Sequence, residues 1–215
     1  MKINVIGAGS WGITIATYLS NLGNEITVFH NNSKNLINYK SNYSHAKLKN
    51  IKIPKDITFK SIASDINIDD LTFIAIPTHA IKDVLKSFII NNSDLVVLSK
   101  GFDLQTGLLP IELIESITDI TSNKIAVLSG PNHAEEIAIN KPTTSIVSSL
   151  DNSFSKQLQL LLSSKTFRVY TSNDIIGVQL GGAVKNVIAI AAGICSGLNL
   201  GDNALASLIA RGMNE

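Results

Sequence analysis

Lys185 is the residue of this sequence with the clearest chemical potential. It lies within a run of small and aliphatic residues at positions 177–193, with Asn186 beside it. Apolar surroundings lower the pKa of an amine, and such an amine can exchange a proton near neutral pH. The alternative is a lysine whose stem carries its ammonium group to solvent. Lys185 is therefore predicted to be a general acid–base group, and Asn186 to be a polar neighbour in the same site.

Two further candidate contacts follow predicted strands. Lys100 comes after a strand at residues 95–98 and suits a substrate phosphate as a point charge. The turn at residues 129–134 follows a strand at 125–128 and opens a helix, which suits an anion or a carbonyl group. Ligands bind at the carboxyl ends of parallel strands in α/β folds. An ordinary exposed lysine and a simple helix-capping turn are the alternatives.

The first 22 residues carry a glycine fingerprint in the context that gives it meaning. A predicted strand at residues 3–6 leads into G-A-G-S-W-G at 7–12, and a helix is predicted at 11–21. Gly7 permits a tight turn, Gly9 lets the backbone approach a pyrophosphate, and Gly12 lets the helix pack closely. The helix N-terminus offers free N–H groups to phosphates. Dinucleotide binding is predicted, and a glycine-rich turn that binds nothing is the alternative.

The end of the second predicted strand, at residues 25–29, bears on the type of cofactor. A carboxylate there would hold the ribose 2′-hydroxyl of NAD, and a cation would suit the 2′-phosphate of NADP. His30 and Asn31 follow the strand instead. These residues leave NADP and NAD both open.

Composition limits the classes of function. The chain has 215 residues, of which 45% are hydrophobic and 16% charged, and its net charge is +1. This balance predicts a globular, cytoplasmic protein and gives no electrostatic case for nucleic acid or an anionic membrane. The single cysteine, Cys195, excludes an intramolecular disulfide, and no metal site is predicted. Residues 3–24 are uncharged, but glycines and polar residues disfavour a signal peptide or membrane span there.

Alternating elements predict an α/β fold with a doubly wound parallel sheet of the Rossmann type. Further strands are predicted at residues 71–76, 144–147 and 167–170, and further helices at 79–90, 109–117, 132–139 and about 154–162. Residues 31–59 are polar with weak periodicity, which predicts a loop with short helical pieces.

Near the C-terminus the pattern changes to helices alone. Residues 174–197 form one apolar stretch, and a helix that is apolar almost all round is expected to be buried on every side. One more helix follows from a predicted N-cap at Asp202. Residues 1–172 are thus predicted to be a dinucleotide-binding domain and 173–215 the first part of an all-helical substrate domain. One helix cannot cover the long one, which leaves a partner such as a second copy, or an incomplete domain.

Four sequence blocks resemble one enzyme family. The glycine run, Lys100-Gly101, L-S-G-P-N-H-A at 128–134 and G-G-A-V-K-N-V-I-A-I-A-A-G at 181–193 are similar to bacterial NAD(P)-dependent glycerol-3-phosphate dehydrogenases. Residues 197–212 also fit, so the resemblance spans the chain. It implies reversible reduction of dihydroxyacetone phosphate to sn-glycerol 3-phosphate with NADP or NAD, feeding phospholipid synthesis.

The resemblance also implies roles for individual residues. Lys185 would donate a proton to the substrate carbonyl, and Lys100 would contact both cofactor and substrate. Substrate contacts are further implied for Gly130 and Asn132 and predicted for Asn186. Cofactor contacts are expected for Gly7, Gly9, Ser10, Trp11, Gly12, His30, Asn31 and Ala134.

This sequence departs from the family pattern in three ways. Asn132 replaces a serine or threonine, and Ser196 precedes Gly197 where the family tends to have aspartate. The family continues into a longer helical region with an aspartate-containing segment and an Arg-Asn pair. The resemblance therefore implies a C-terminally truncated chain, expected to be inactive or nearly so alone. A protein that only binds the dinucleotide, and a related dehydrogenase with another substrate, stay open as alternatives.

Overall fold

A central eight-stranded sheet with helices on both faces organises the chain, and the computed structural model describes residues 1–48, 51–91 and 93–214. The strands are β1 (Lys2–Ile6), β2 (Glu25–His30), β3 (Thr58–Ser61), β4 (Ile66–Ile68), β5 (Leu71–Ile74), β6 (Phe88–Ile90), β7 (Leu95–Val97), β8 (Ile125–Ser129), β9 (Thr143–Ser149) and β10 (Phe167–Ser172). The helices are α1 (Ser10–Asn21), α2 (Ser33–Asn42), α3 (Ile81–Leu85), α4 (Pro110–Ile117), α5 (Ala134–Ala138), α6 (Asn152–Leu162), α7 (Ile175–Gly197) and α8 (Asp202–Asn214).

The strand order defines the edge of the sheet at which a ligand is expected. The order is β10-β9-β8-β7-β5-β1-β2-β3. From β1 the chain builds outward to β2 and β3 on one side and to β5, β7 and β8 on the other, with all these strands parallel. The direction of building thus reverses between β1 and β5. This strand order confirms the Rossmann-type prediction. In such folds ligands bind at the switch point, outside the carboxyl ends of the strands.

Hydrophobic residues fill both faces of this sheet. In β1, the neighbours Val5 and Ile6 are both fully buried but point into different clusters. One cluster packs beneath α1, α2 and α6, and the other beneath α3, α4 and the start of α7. Burial on both faces explains why the central strands are hydrophobic without alternation.

The last two strands differ from the all-parallel expectation. Strand β9 pairs antiparallel with β8, and β10 runs parallel to β9. The helix between β8 and β9, predicted at residues 132–139, is only the five-residue α5. A parallel crossover usually needs a helix that crosses the face of the sheet, and five residues are too few for that. The chain turns back instead, so β9 begins at the edge where β8 ends.

Two other sequence predictions are partly wrong. The predicted helix at 79–90 ends at Leu85, and the following Phe88–Ile90 pairs with β4 as strand β6. Its two isoleucines are β-branched and therefore favour extended backbone. The predicted loop at 31–59 contains the ten-residue helix α2, whose N-cap Asn32 accepts the Asn35 N–H. Within that stretch residues 49 and 50 lie outside the described residues.

Helix α7 is covered on one side only within this chain. Of its 23 residues only Gln179, Gly182 and Cys195 are buried, whereas Val187 and Ile190 are 69% and 65% exposed. The helix packs on β8, β9 and α8 with one side only, which agrees with the prediction that one following helix cannot cover it.

The length and composition of α7 also match those of a membrane span, among the residues that the structure describes. Its packing against the sheet and the lysine at its middle favour a helix of a globular domain.

Helix α8 begins at Asp202, which is its first residue and not its N-cap.

Candidate functional site

The glycine turn after β1 has the geometry that its sequence predicts. Gly7 has φ of +110°, and a Cβ there would lie 2.4 Å from the Ala75 carbonyl oxygen. A Cβ on Gly12 would lie 2.0 Å from the Gly7 carbonyl oxygen, whereas one on Gly9 would meet nothing within 4 Å. Gly7 and Gly12 are therefore required by backbone packing. Gly9 instead leaves open space at the surface of the turn.

Helix α1 presents its N-terminus at this open space. Its N-cap is Gly9, which has no side chain to accept the first N–H groups of the helix. The first bond along the helix runs from the Ile13 N–H to the Gly9 carbonyl oxygen at 2.9 Å. The N–H groups of Ser10 and Trp11 therefore precede the hydrogen-bonded turns of the helix. Together with the positive end of the helix dipole they suit a pyrophosphate.

A cavity of about 260 Å³ opens beside the turn. It joins Gly7 and Gly9 to His30 and Asn31 at the end of β2, so four predicted cofactor residues share one cavity. Burial, and then the nearby His45, lower the pKa of His30, which favours the neutral imidazole at neutral pH. The remaining lining residues, which carry no chemical signal in the sequence, are Ala8, Ile62, Ala75, Ile76, Pro77, Ala80 and Val84.

Three other residues predicted for the site lie together further along the same edge. The Lys100 Nζ donates a hydrogen bond to the Gly130 carbonyl oxygen at 3.1 Å. Burial first, and then the charge of the nearby Lys185, lower the pKa of Lys100 to about 8. Two amines that face each other in this way form a basic pair beside the turn that follows β8.

The environment predicted for Lys185 belongs to Lys100 in this chain. Lys185 and Asn186 are exposed on α7, whereas Lys100 is half-buried. Burial removes water from the Lys100 amine, and this loss of hydration favours its neutral form. The prediction that Lys185 is desolvated is therefore wrong here, and the reason is that only one side of α7 is covered.

Two contacts place α7 against this edge. A Cβ on Gly182 would lie 3.0 Å from the Ser129 Oγ and 3.6 Å from the Lys100 Cγ, so glycine permits the close approach. The buried Gln179 accepts the Ile111 N–H at the start of α4, with Oε1 3.1 Å from the nitrogen. Sequence reasoning missed these contacts, although a glutamine in an apolar helix was the available signal for one of them.

Asn132 and Ala134 make hydrogen bonds that join neighbouring elements of the protein. The Asn132 Nδ2 donates to the Ser145 Oγ at 2.7 Å and to the Thr144 carbonyl oxygen at 3.3 Å, which fastens the Gly130 turn to β9. Ala134 is buried, and its carbonyl oxygen accepts a hydrogen bond from the Thr14 Oγ1 at 3.2 Å. Ala134 therefore joins α5 to α1.

Hydrogen bonds between strand-end loops join the glycine cavity to Lys100. The Ser99 Oγ donates to the Ile76 carbonyl oxygen at 2.6 Å, and the Thr78 Oγ1 donates to the Lys100 carbonyl oxygen at 2.9 Å. Ile76 also lines the cavity, so one continuous edge runs from His30 to Lys100. Fold and site together define an α/β protein of the dinucleotide-binding class with a basic pair at one end of the site.

Known proteins of one family match the chain along its length. The sequence profile described as NAD-dependent glycerol-3-phosphate dehydrogenase N-terminus matches residues 2–155, and that of the C-terminus matches residues 174–215. The chain belongs to the NAD-dependent glycerol-3-phosphate dehydrogenase family.

Individual relatives agree with this assignment. Glycerol-3-phosphate dehydrogenases (NAD(P)+) of Fusobacterium nucleatum and Oceanobacillus iheyensis are 41% and 39% identical over the whole chain, which spans 66% and 63% of their lengths. The glycerol-3-phosphate dehydrogenase structure from Coxiella burnetii has a TM-score of 0.87 at 32% identity, covering 99% of this chain and 66% of its own. The glycerol-3-phosphate dehydrogenase structure from Plasmodium falciparum has a TM-score of 0.88 at 26% identity, and the match covers 100% of this chain and 64% of that one.

Proposed function

We propose that this protein is an NAD(P)H-dependent dehydrogenase that reversibly reduces dihydroxyacetone phosphate to sn-glycerol 3-phosphate. The observation that carries the proposal is the meeting of Lys100 and Lys185 beside the Gly130 turn, on the same sheet edge as the glycine cavity. A phosphorylated ketone needs positive charge for its phosphate and a proton for its carbonyl oxygen. The names of the relatives supply the particular substrate.

The glycine turn and the end of β2 fit a dinucleotide. The N–H groups of Ser10 and Trp11 and the open surface at Gly9 would hold the pyrophosphate, and His30 and Asn31 would contact the ribose at the adenine end. Ala134 would support this region from α5. When bound, the reduced cofactor supplies the hydride for the reaction. The residues at the end of β2 accommodate NADP or NAD.

The lysine pair would bind the substrate and move its proton. Lys185 would donate a proton to the carbonyl oxygen during reduction and take it back from the hydroxyl in the reverse reaction. Lys100, held by the Gly130 carbonyl, is mostly positive below about pH 8 and would contact both substrate and cofactor. A phosphate dianion near both amines would offset their repulsion. Gly130, Asn132 and Asn186 would complete the substrate contacts.

The oxidation of NADPH in the presence of dihydroxyacetone phosphate, followed by absorbance, tests the proposal. Turnover is expected, and Lys185→Met is expected to lower it by about 100-fold or more, the scale of one acid–base group. NADPH binding should persist in that variant because Lys185 is not among the residues that line the cavity. Lys156→Met, on the exposed side of α6, is the matched control and should retain turnover.

A second candidate function is dinucleotide binding without turnover. The exposure of Lys185 favours it, because an amine in water lacks the fixed orientation that catalysis requires. Trp11, the one tryptophan of the sequence, stands beside the glycine turn, so its fluorescence should report NADPH binding. NADPH binding with no turnover would establish this second function, and binding with turnover would establish the first.

Four further proposals accompany the reaction. The protein is placed in the cytoplasm, where its product would supply glycerophospholipid synthesis. Residues 1–172 would form the dinucleotide-binding domain, and residues 173–215 the first part of the substrate domain.

We also propose a homodimer, supported by the exposed aliphatic residues of α7 such as Val187 and Ile190. Sedimentation velocity of Ile190→Ser against the unchanged chain tests it, and an unaltered monomer in both would contradict it.

A further inference from the structure

The Ala8 carbonyl lies at the centre of the glycine turn and is held by a residue from α2. Ala8 is 2% exposed, and its oxygen accepts a hydrogen bond from the Tyr39 Oη at 3.1 Å. Tyr39 is itself only 4% exposed, so water does not compete for this bond. A hydrogen bond in such surroundings is stronger than one at the surface.

His45 faces the same carbonyl from the segment that follows α2. Its Nδ1 accepts the Lys47 N–H at 3.2 Å, which leaves Nε2 to carry the proton of the neutral ring. Burial and the charge of Lys47 lower the pKa of His45, while a hydrogen bond with the Ala8 backbone and the charge of Glu135 oppose that change. The Tyr39 hydroxyl is therefore the donor at a defined distance from the Ala8 oxygen, and the His45 ring is its neighbour.

Aromatic packing fixes the direction of the tyrosine. The His45 ring stacks on the Tyr39 ring with an interplanar angle of 16° and 5.7 Å between centroids. Phe59 of β3 packs against Tyr39 at 5.5 Å, and His30 lies at 6.2 Å. With ring neighbours from three segments, the hydroxyl has little freedom to leave the Ala8 oxygen.

Peptide geometry determines what lies on the other side of this unit. The described residues contain no cis peptide bond, and in a trans unit the N–H points opposite to the C=O. Because the Ala8 carbonyl points toward Tyr39, the Gly9 N–H points away from it, at the position where the turn is exposed and a Cβ would meet nothing. If this peptide were rotated by half a turn, the Ala8 carbonyl oxygen would face that position. Its partial negative charge would repel a phosphate.

We infer that Tyr39 and His45 are positioning residues: Tyr39 holds the Ala8–Gly9 peptide so that its N–H faces the pyrophosphate of a bound dinucleotide, and the stacked His45 ring holds Tyr39. The inference rests on the proposed cofactor site and extends it to two residues outside the lining of the cavity. Local sequence patterns did not single them out, because the function of each depends on a carbonyl more than 30 residues away.

Replacing the tyrosine hydroxyl tests the inference with a matched control. Tyr39→Phe keeps the ring and removes the donor, and it should weaken the binding of NADH and of ADP-ribose about tenfold, the scale of one hydrogen bond. Tyr18→Phe removes another buried hydroxyl, which donates to the Leu162 carbonyl oxygen at 2.7 Å, and it should leave both affinities unchanged. His45→Ala removes the ring that stacks on Tyr39, and it should weaken both about threefold, the scale of one aromatic pair.

Adenosine, which lacks the pyrophosphate, provides the readout that a merely structural role would not produce. Its affinity should be the same in Tyr39→Phe and the unchanged chain, and an equal loss for adenosine and NADH would overturn the inference. Equal NADH affinity in the two tyrosine variants would also overturn it.

Chemical shifts separate this inference from the proposed function. The ¹³C signal of the Ala8 carbonyl and the ¹⁵N signal of Gly9 should move in Tyr39→Phe and stay in place in Tyr18→Phe, with no ligand present. Signals that stay in place in both variants would refute the inference alone. An unchanged chain that binds neither NADH nor ADP-ribose would refute the proposed cofactor site and, with it, the role of the turn toward a pyrophosphate.

Discussion

The two ends of the candidate site differ in how the fold holds them. At the glycine end, Gly12 packs against the Gly7 carbonyl, and the Ala8 carbonyl is bound by Tyr39. At the lysine end, Lys185 is exposed on a helix that is covered on one side only. The glycine end is therefore preorganised by close backbone packing and a buried hydrogen bond. The lysine end depends on how a distant helix docks, so the two ends should respond differently to substitution.

The largest effect is expected from Gly12→Ala at the rigid end. The new Cβ would lie 2.0 Å from the Gly7 carbonyl oxygen, and backbone cannot yield as a side chain can. We expect a loss of about 3 kcal/mol in the free energy of unfolding and a loss of NADH binding. Urea unfolding and Trp11 fluorescence measure the two effects.

Gly193→Ala on α7 is the matched control for that substitution. A Cβ at Gly193 would meet nothing within 4 Å, and alanine is the better helix former. Stability should therefore rise by about 0.5 to 1 kcal/mol. Similar losses in the two variants would contradict the contrast between a rigid and a loosely held end.

Gln179→Leu tests what holds the lysine end. The variant leaves the Ile111 N–H without its buried acceptor, which should cost about 1 to 3 kcal/mol of the free energy of unfolding. Gln157→Leu, at an exposed position of α6, should change that quantity by less than about 0.5 kcal/mol. Thermal and urea unfolding compare them, and equal stabilities would show that α7 does not depend on this contact.

The smallest effect concerns the titration of Lys100. Burial, and then Lys185, lower its pKa to about 8, so its positive charge is present below that pH and lost as the pH rises through it. Lys185→Met removes a repelling neighbour, so the pKa of Lys100 should rise. Phosphate binding should then persist to higher pH at this amine.

NMR titration of the lysine side chains measures the midpoint directly. Lys156→Met serves again as the comparison, because Lys156 is on the exposed side of α6. A Lys100 midpoint that is unchanged by Lys185→Met would show that the two amines do not interact.

Predictions from the sequence were most accurate where all determinants lie close together along the chain. The strand, the glycine turn and α1 are confirmed with nearly the predicted bounds, because the positive φ of Gly7 and the contact of Gly12 with the Gly7 carbonyl both lie within the turn itself. The direction of β9 and the strand β6 were missed, since pairing partners are distant and short apolar runs fit a helix or a strand equally well. The roles of Lys185, Asn132 and the other site residues stay predictions.

The sequence by itself determined the glycine turn, the class of fold and the family, because these follow from local backbone requirements and from long matching blocks. Only the tertiary structure decided which lysine is half-buried and which residues hold the turn. Lys185 has the more apolar neighbours along the chain, yet Lys100 is the desolvated amine. The physical reason is that burial depends on what packs around a side chain in space, and local sequence does not specify that packing.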